Sequence, residues 1–541
     1  MPPTTSAALL TDEEGRSRLE ALAGLLVEAP ATCVVPLSAP DGPDGATAVV
    51  VDAVALSPDM QRWADRVAGA GGTVLRLGGP PGAGDLPAGE WFVTLSEAAR
   101  PWSARLPGEW AVLGAFSPLS PSGGDDVLAT INVGYTDRPV LTRRGVGAGQ
   151  VVTCALGDEP SLRTPELRSL LRRLLAGRAE PGGLLGVAIV GYGPLGGMGL
   201  HHALAAAATD GLQLVAVCDS SPERLQAAAK EHPGVAAYST PGELGADPDV
   251  HVAIVATPPS THPELAEALI RAGKHVVCEK PLCFTPAQAD CLIELAAGHG
   301  VALTVHQNRR WDPDFVAARS VVESGRMGEL FNMETFVGGF EHPCRAWHSE
   351  VSISGGAIYD WGAHYLDWTL LLMGDDPVSV SASGHKRVWR DVTNEDQVRV
   401  RLGWADGREA EFVHSDVAAV RRPKLYLQGT RGTLAGHYRS VTFESIEPGI
   451  GYRAHPAHHA EAPAELTLVT YTSRLGLTEE RVALPPPAEF AFHANLADHL
   501  LLGEPLAVTA PSVRRVVAVL DAAKRSLGAG GVAVELPGAG R

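Results

Sequence analysis

The chain has 541 residues, 44 Lys+Arg against 62 Asp+Glu, a formal net charge of −18 and 45% hydrophobic residues. That length suggests roughly three to four domain-sized units of an ordinary globular protein. The acidic balance argues against a general nucleic-acid or anionic-membrane surface, and no apolar run reaches the ~20 residues that span a bilayer. The opening MPPTTSAALL lacks the basic start and apolar core of a signal peptide, and seven cysteines are scattered without metal-ligand spacing. A cytoplasmic protein with reduced thiols and no metal site is expected.

Residues 1–177 read as a separate α/β unit. Ala48–Val54 has the pattern of a buried strand, Pro58–Ala70 of a helix stopped by Gly71-Gly72, and Thr73–Leu77 of the next strand. Gly78–Asp85 is a glycine/proline loop. Gln150–Leu156 then reads as a strand and Thr164–Leu175 as an Arg/Leu-rich helix. This ending, with Val49–Gly79, resembles the flavodoxin-like fold of the trehalose-utilisation (ThuA-like) domains, relatives of class I glutamine amidotransferases. An amidotransferase needs a cysteine with a histidine partner, and residues 1–177 contain no histidine. A docking or binding domain without its own chemistry is expected, followed by the linker Gly177–Gly183.

The segment Leu185–Asp219 is the most informative. Val187–Val190 is a short β-branched run that ends in Gly191-Tyr-Gly193-Pro194-Leu195-Gly196. An Ala/Leu-rich helix pattern follows, then a second buried run, Leu214–Cys218, closed by Asp219. The glycines suit a tight turn and close approach of a pyrophosphate, which the helix N-terminus then binds. Asp219 lies 23 residues after Gly196, near where a ribose-binding acid belongs. A lone GxGxxG is weak evidence; strand before, helix after and acid on the next strand make it specific. Strands at Val250–Ala256, His275–Cys278 and Val301–Val305 alternate with helices at Pro222–Glu231 (Leu225 and Ala229 inward), Pro263–Ala272 and Pro286–Gly298. That alternation means a parallel sheet with ligands at its carboxyl ends. Residues 184–306 are therefore expected to form a Rossmann dinucleotide-binding domain.

Residues 307–541 change character. Phe315–Ser324 is helical, Phe331–Phe336 strand-like, and Gly355-Gly356 precede Asp360 and His364 at a helix start. Gln397–Trp404 and Glu409–His414 read as a hairpin about Ala405-Asp406-Gly407. Lys424–Gln428 and Leu466–Tyr471 are further strands, 449–465 a loop insertion, and Ser512–Leu527 a closing helix capped by Gly528. A C-terminal α+β domain with a mostly antiparallel sheet, helices on one face, explains the mix.

Three residues carry the candidate chemistry. Lys280 ends a strand of the cofactor sheet, where its ammonium can donate a hydrogen bond to a substrate oxygen. Asp360 and His364, four apart, share a helix face. Taken alone, such a pair also reads as a surface pair or a helix cap. From about Leu185 to Leu527 the chain resembles the glucose–fructose oxidoreductase/inositol dehydrogenase (Gfo/Idh/MocA) family. The resemblance rests on the glycine loop, Thr257-Pro258-Pro-Ser-Thr-His262, Glu279-Lys280-Pro281, Asn308-Arg309-Arg310 and Gly355-Gly356-x3-Asp360-x3-His364. It implies Lys280, Asp360 and His364 as the catalytic group and Thr257, Pro258, His262 and Glu279 as lining the cofactor cleft. Arg309 and Trp347 are implied substrate contacts. The expected activity is hydride transfer between a nicotinamide cofactor and a secondary alcohol of a sugar, inositol or sugar-derived substrate. No arginine immediately follows Asp219, so NAD is expected over NADP. Rival readings are an NAD-using glycosidase or dehydratase with transient oxidation, and a non-catalytic dinucleotide sensor. The C-terminal sheet is the expected face of a homo-oligomer by family analogy.

Overall fold

The computed structural model describes residues 184–193, 197–344, 346–439, 441–447, 451–457 and 462–536, and before them residues 7–175 in segments built around the strands and helices given below. The chain forms two compact units, Met1–Leu184 with Asn495–Pro505, and Leu185–Ala494 with Leu506–Arg541.

The first unit is built on β1 (Ala7–Thr11), β2 (Cys33–Pro36), β3 (Ala48–Asp52), β4 (Thr73–Leu77), β5 (Leu86–Leu95), β6 (Glu109–Phe116), β7 (Asp126–Val133), β8 (Thr136–Val146) and β9 (Gly149–Cys154). They form one sheet in the order β2-β1-β3-β4-β9-β8-β7-β5-β6. The strands from β2 to β9 run parallel, and the remaining neighbours pair antiparallel. The expected strands and helices at residues 48–77 and 149–175 are present; the antiparallel strands β5 to β8 were not anticipated. They follow from alternation, as in β6, where Trp110, Val112 and Phe116 are buried while Glu109, Ala111 and Leu113 are exposed. Leu167, Leu170, Leu171 and Leu174 of the helix Pro165–Leu175 cover the sheet at helical spacing and join Leu75, Leu128 and Val152 in the core. The glycine/proline loop beyond Gly78 and the linker 177–183 lie outside the described residues.

The second unit opens with six parallel strands: β10 (Leu185–Val190), β11 (Leu212–Cys218), β12 (Ala236–Tyr238), β13 (Val252–Val255), β14 (His275–Cys278) and β15 (Leu303–Val305). Their order is β12-β11-β10-β13-β14-β15, so direction of travel reverses beside β10 and opens a crevice at the carboxyl ends. Val187, Ala188, Ile189 and the whole of β13 are buried, as helices on both faces require. Thr285, with Gln288, forms a capping box that starts the helix Pro286–His299. In the helix Pro222–Glu231 the inward residue is Ala228, three positions after the half-buried Leu225; Ala229 is exposed. The helix leans by one position because i+3 and i+4 share a face.

The second sheet comprises β16 (Leu330–Gly338), β17 (Ser379–His385), β18 (Gln397–Gly403), β19 (Glu409–Ser415), β20 (Leu425–Gly429), β21 (Gly432–His437), then, after the separate pair β22 (Val441–Glu447) and β23 (Gly451–Ala457), β24 (Glu465–Thr472), β25 (Gly476–Val482) and β26 (Val534–Glu535). Its order is β25-β24-β21-β20-β16-β19-β18-β17-β26, antiparallel throughout except where β16 lies parallel to β19. The expected hairpin about Asp406-Gly407 is β18–β19. The expected loop 449–465 is corrected in part: Gly451–Ala457 pairs with Val441–Glu447, so the segment satisfies its backbone groups as a hairpin. Helix Ala510–Gly528 sets Val513, Val516, Val517, Leu520 and Ala523 on one buried stripe. With Tyr365, Leu366 and Trp368 of helix Gly362–Met373 and Phe412 of β19, this stripe builds the core against the sheet. Gly528 lies inside the closing helix and Ala529 caps it.

Candidate active site

The glycine loop lies where β10 ends. Gly191 has φ +97°, and a Cβ there would meet Thr257 Cγ2 at 2.8 Å, so only glycine leaves the cradle open. A Cβ on Gly199 would lie 2.5 Å from the Gly191 carbonyl oxygen, which makes Gly199 the residue that lets the helix Met198–Ala208 press on the strand. Pro194, Leu195 and Gly196 lie outside the described residues. Gly191 and Gly193 line a cavity of about 370 Å³ with Asp219, Ser220, Thr257 and Pro258. Asp219 is buried; its Oδ2 accepts from the Tyr192 N–H at 2.7 Å and its Oδ1 from the Ser221 N–H at 2.9 Å. Arg224 Nη1 stands 3.5 Å from Asp219 Oδ2 and lines the same cavity. Sequence spacing hid this arginine because the helix Pro222–Glu231 starts at once after β11 and turns its first residues back over the strand end.

A neighbouring cavity of about 280 Å³ gathers Lys280, Asp360, His364, Glu279, Arg309 and Trp347. Thr257 and Trp347 line both cavities. Lys280 Nζ donates to Asp360 Oδ1 at 2.6 Å and to the Asp360 carbonyl oxygen at 3.2 Å. Burial works to raise the Asp360 carboxyl, but the Lys280 charge and hydrogen bond outweigh it and hold the group below the ordinary carboxylate range. Asp360 and His364 do not share one continuous helix. Asp360 ends the turn Ala357–Asp360, and His364 lies in the first turn of Gly362–Met373, its N–H donating to the Trp361 carbonyl at 3.1 Å. The break still brings both side chains to one cavity. Burial, with the nearby Lys280 and Arg309 cations, keeps the His364 imidazole well below its ordinary pKa. Its Nδ1 is buried with no hydrogen-bond partner among the described residues.

Two further expected residues have different surroundings from those expected. His262 is fully buried, with Nδ1 2.7 Å from the Pro281 carbonyl and Nε2 2.8 Å from the Thr257 carbonyl, so it ties two strand-end loops together instead of facing the cofactor cleft. Glu279 lines the second cavity but is gripped by imidazoles: its Oε1 accepts from His306 Nδ1 at 2.8 Å and His202 Nε2 at 2.9 Å. Arg309 is buried, pairs with Asp312 at 3.2 Å and lies over the Trp361 ring at 5.1 Å. His306 was missed because it precedes the Asn308-Arg309-Arg310 motif, and His202 because it sits inside an alanine-rich helix.

Parallel sheet, glycine cradle, buried strand-end acid and a Lys–Asp–His cavity at the carboxyl ends define a dinucleotide-binding oxidoreductase with a second sheet domain. Comparison with known proteins agrees. Residues 185–307 match the family described as "Oxidoreductase family, NAD-binding Rossmann fold", and residues 315–435 match "GFO/IDH/MocA C-terminal domain". An inositol 2-dehydrogenase of Rhizobium meliloti is 30% identical over 275 residues, 50% of this chain and 82% of that protein. A scyllo-inositol 2-dehydrogenase (NADP(+)) of Bacillus subtilis is 31% identical over 198 residues, 36% of this chain and 54% of that protein. A solved NAD-binding protein from Listeria innocua aligns with TM-score 0.54 at 29% identity, over 65% of this chain and 96% of that one. The chain belongs to the Gfo/Idh/MocA family of oxidoreductases. Among the described residues no helix is long and apolar enough to cross a membrane.

Proposed function

We propose that the protein is an NAD(P)-dependent dehydrogenase acting on a secondary alcohol of a sugar, inositol or sugar-derived substrate. The observation that carries this reading is the Lys280–Asp360 pair at 2.6 Å in one cavity with a buried His364, at the open end of a dinucleotide sheet. When bound, NAD(P) supplies the hydride acceptor or donor. Gly191, Gly193 and the N-terminus of the helix Met198–Ala208 would hold its phosphates, and Asp219 its adenosine ribose. Asp219 spends one lone pair of each oxygen on a backbone amide, and each oxygen retains another for a ribose hydroxyl. Arg224 and Ser220 on the same cavity offer partners for a 2′-phosphate, so NADP is accepted beside NAD.

At the reacting end, Asp360 orients Lys280 through the 2.6 Å hydrogen bond, and the ammonium donates to the substrate oxygen and stabilises negative charge developing there. His364, neutral because of its burial and cationic neighbours, takes the hydroxyl proton. Arg309 and Trp347 position the sugar hydroxyls. The inositol 2-dehydrogenases among the relatives favour cyclic polyols as substrates.

The test is absorbance at the reduced-nicotinamide band during incubation with NAD+ or NADP+ and a panel of inositols, hexoses, amino sugars and sugar acids. Steady formation with one polyol supports the dehydrogenase. Cofactor that binds without net turnover, together with cleavage of a glycoside, would replace it by the transient-oxidation reading.

A further inference from the structure

Behind Lys280 lies an array of titratable side chains that the mechanism above does not use. Glu279 Oε2 accepts from the Lys280 backbone N–H at 3.1 Å, while its Oε1 lies against His306 Nδ1 and His202 Nε2. His202 Nδ1 in turn lies 2.9 Å from His493 Nε2. His202 and His493 are fully buried, His306 is 1% exposed and Glu279 7%. These contacts dictate the proton positions. An ionised carboxylate only accepts, and a neutral imidazole carries one N–H. His306 must therefore be the Nδ1–H tautomer and His202 the Nε2–H tautomer. His202 Nδ1 is then a lone pair, so His493 donates to it through Nε2, and His493 Nδ1, which has no partner among the described residues, is the lone pair at the end of the chain. The result at the front is specific. His306 Nε2 is left as a lone pair on a ring that lines the same cavity as Lys280 and His364.

We propose that His306, held by Glu279, is the second proton acceptor of the active site, receiving through cavity water the proton that the substrate hydroxyl gives to His364. The idea rests on the dehydrogenase reading above. The alcohol O–H bond breaks toward His364, the C–H electron pair leaves as hydride to the nicotinamide, and the proton moves on to His306 Nε2 and then to solvent. An imidazolium at His364 faces the Lys280 and Arg309 cations, whereas one at His306 faces the Glu279 carboxylate. The groups that face His306 are Glu279, His201 and His202, His493, and across the cavity Lys280 and His364. Glu279 and His202 are positioning residues. The ring nitrogens of His202, His306 and His493 also lie within 4.8 Å of one another, a spacing a metal could use. Both nitrogens of His202 are already engaged, by Glu279 and His493, which favours the proton path.

The experiment uses the full chain in two arms. In the first, nitrogen-15-labelled histidines are followed by NMR against pH with saturating NAD+, and the His306→Asn variant identifies the His306 signal. The Nδ1–H tautomer is expected; the Nε2–H tautomer overturns the array with or without a substrate. Zinc ion that binds with micromolar or tighter affinity and removes the His202 and His306 N–H signals also overturns it, in favour of a metal site. In the second arm, His306→Asn keeps a donor toward Glu279 but removes the base. With the polyol that the wild type oxidises, kcat should fall about 10- to 100-fold with KM within about twofold, and added imidazole should restore part of it. Unchanged kcat, or loss that imidazole does not rescue, refutes the proton path. A wild type inert on the whole panel fails the dehydrogenase reading, and the proton path with it, while the NMR arm still decides the tautomers.

Discussion

At the scale of single residues the site is an arrangement of charge. Lys280→Met should lower kcat by about 10²-fold or more while the NAD+ dissociation constant stays within about threefold, because Lys280 lines the cavity beside Asp360 and His364 and not the one beside the glycine loop. Progress curves and quenching of tryptophan fluorescence separate the two effects, and retained turnover would remove Lys280 from the mechanism. At the other end, Arg224→Ala should weaken NADP+ about tenfold relative to NAD+, since a charge-assisted contact to a 2′-phosphate is lost and the ribose acid remains. A ratio that does not move would show that another group reads the phosphate. His202 gives a pH dependence whose sign is determined by burial. Desolvation first, then the neighbouring His306, lowers its pKa from 6.5 to about 4. The unfolded chain therefore takes up this proton as pH falls through 6.5 while the folded chain does so only near 4. Its contribution to stability is complete above 6.5 and is lost on the way down, by about 2 kcal/mol between pH 6.5 and 5. Melting temperatures across that range should fall, and His202→Gln should flatten the slope.

Single elements show how the second sheet supports the site. Lys424, just before β20, and Asp314, in the first turn of the helix Pro313–Glu323, form a fully buried ion pair at 2.7 Å. The Ala464 N–H donates to the same carboxylate, and Lys424 Nζ lies 5.5 Å from the centre of the Trp368 ring. Trp368 in turn stacks on Phe315 and donates its indole N–H to the Arg309 carbonyl at 3.0 Å, so this pair underpins the residue expected to meet substrate. Lys424→Met should cost about 3–5 kcal/mol in urea unfolding by leaving a buried carboxylate without its cation, and adding Asp314→Asn should recover part of it. Strictly additive losses would show that the two residues are not coupled. Elements were largely legible beforehand. Buried runs such as β14 and the stripe of Ala510–Gly528 declare themselves through apolar spacing. The antiparallel strands β5 to β8 did not, because alternation with glycine, proline and charge reads as loop until partners supply the backbone hydrogen bonds.

Across the whole molecule, the first unit recruits Asn495–Pro505 from far along the chain. Glu504 Oε1 accepts from Ser169 Oγ at 2.7 Å and from the buried Arg173 Nε at 3.3 Å, and Arg173 also donates to the Trp102 carbonyl at 3.1 Å. Glu504→Ala should destabilise this unit by about 3 kcal/mol and raise amide exchange in the helix Pro165–Leu175, with NADH formation unaltered. Unchanged exchange would show that Glu504 does not hold the helix. The contact joins residues more than three hundred positions apart, and neither composition nor periodicity could announce it. The sequence by itself determined most of the elements, the glycine cradle and the strand-end acid, because burial period and turn chemistry are local properties, whereas the Lys–Asp–His group entered as what the family resemblance implies. Only the tertiary structure decided which charges face one another. Arg224 beside Asp219, His262 tied between two loops, and the imidazoles closed around Glu279 all follow from where the strand ends converge, and electrostatic environment depends on distance in space, not along the chain.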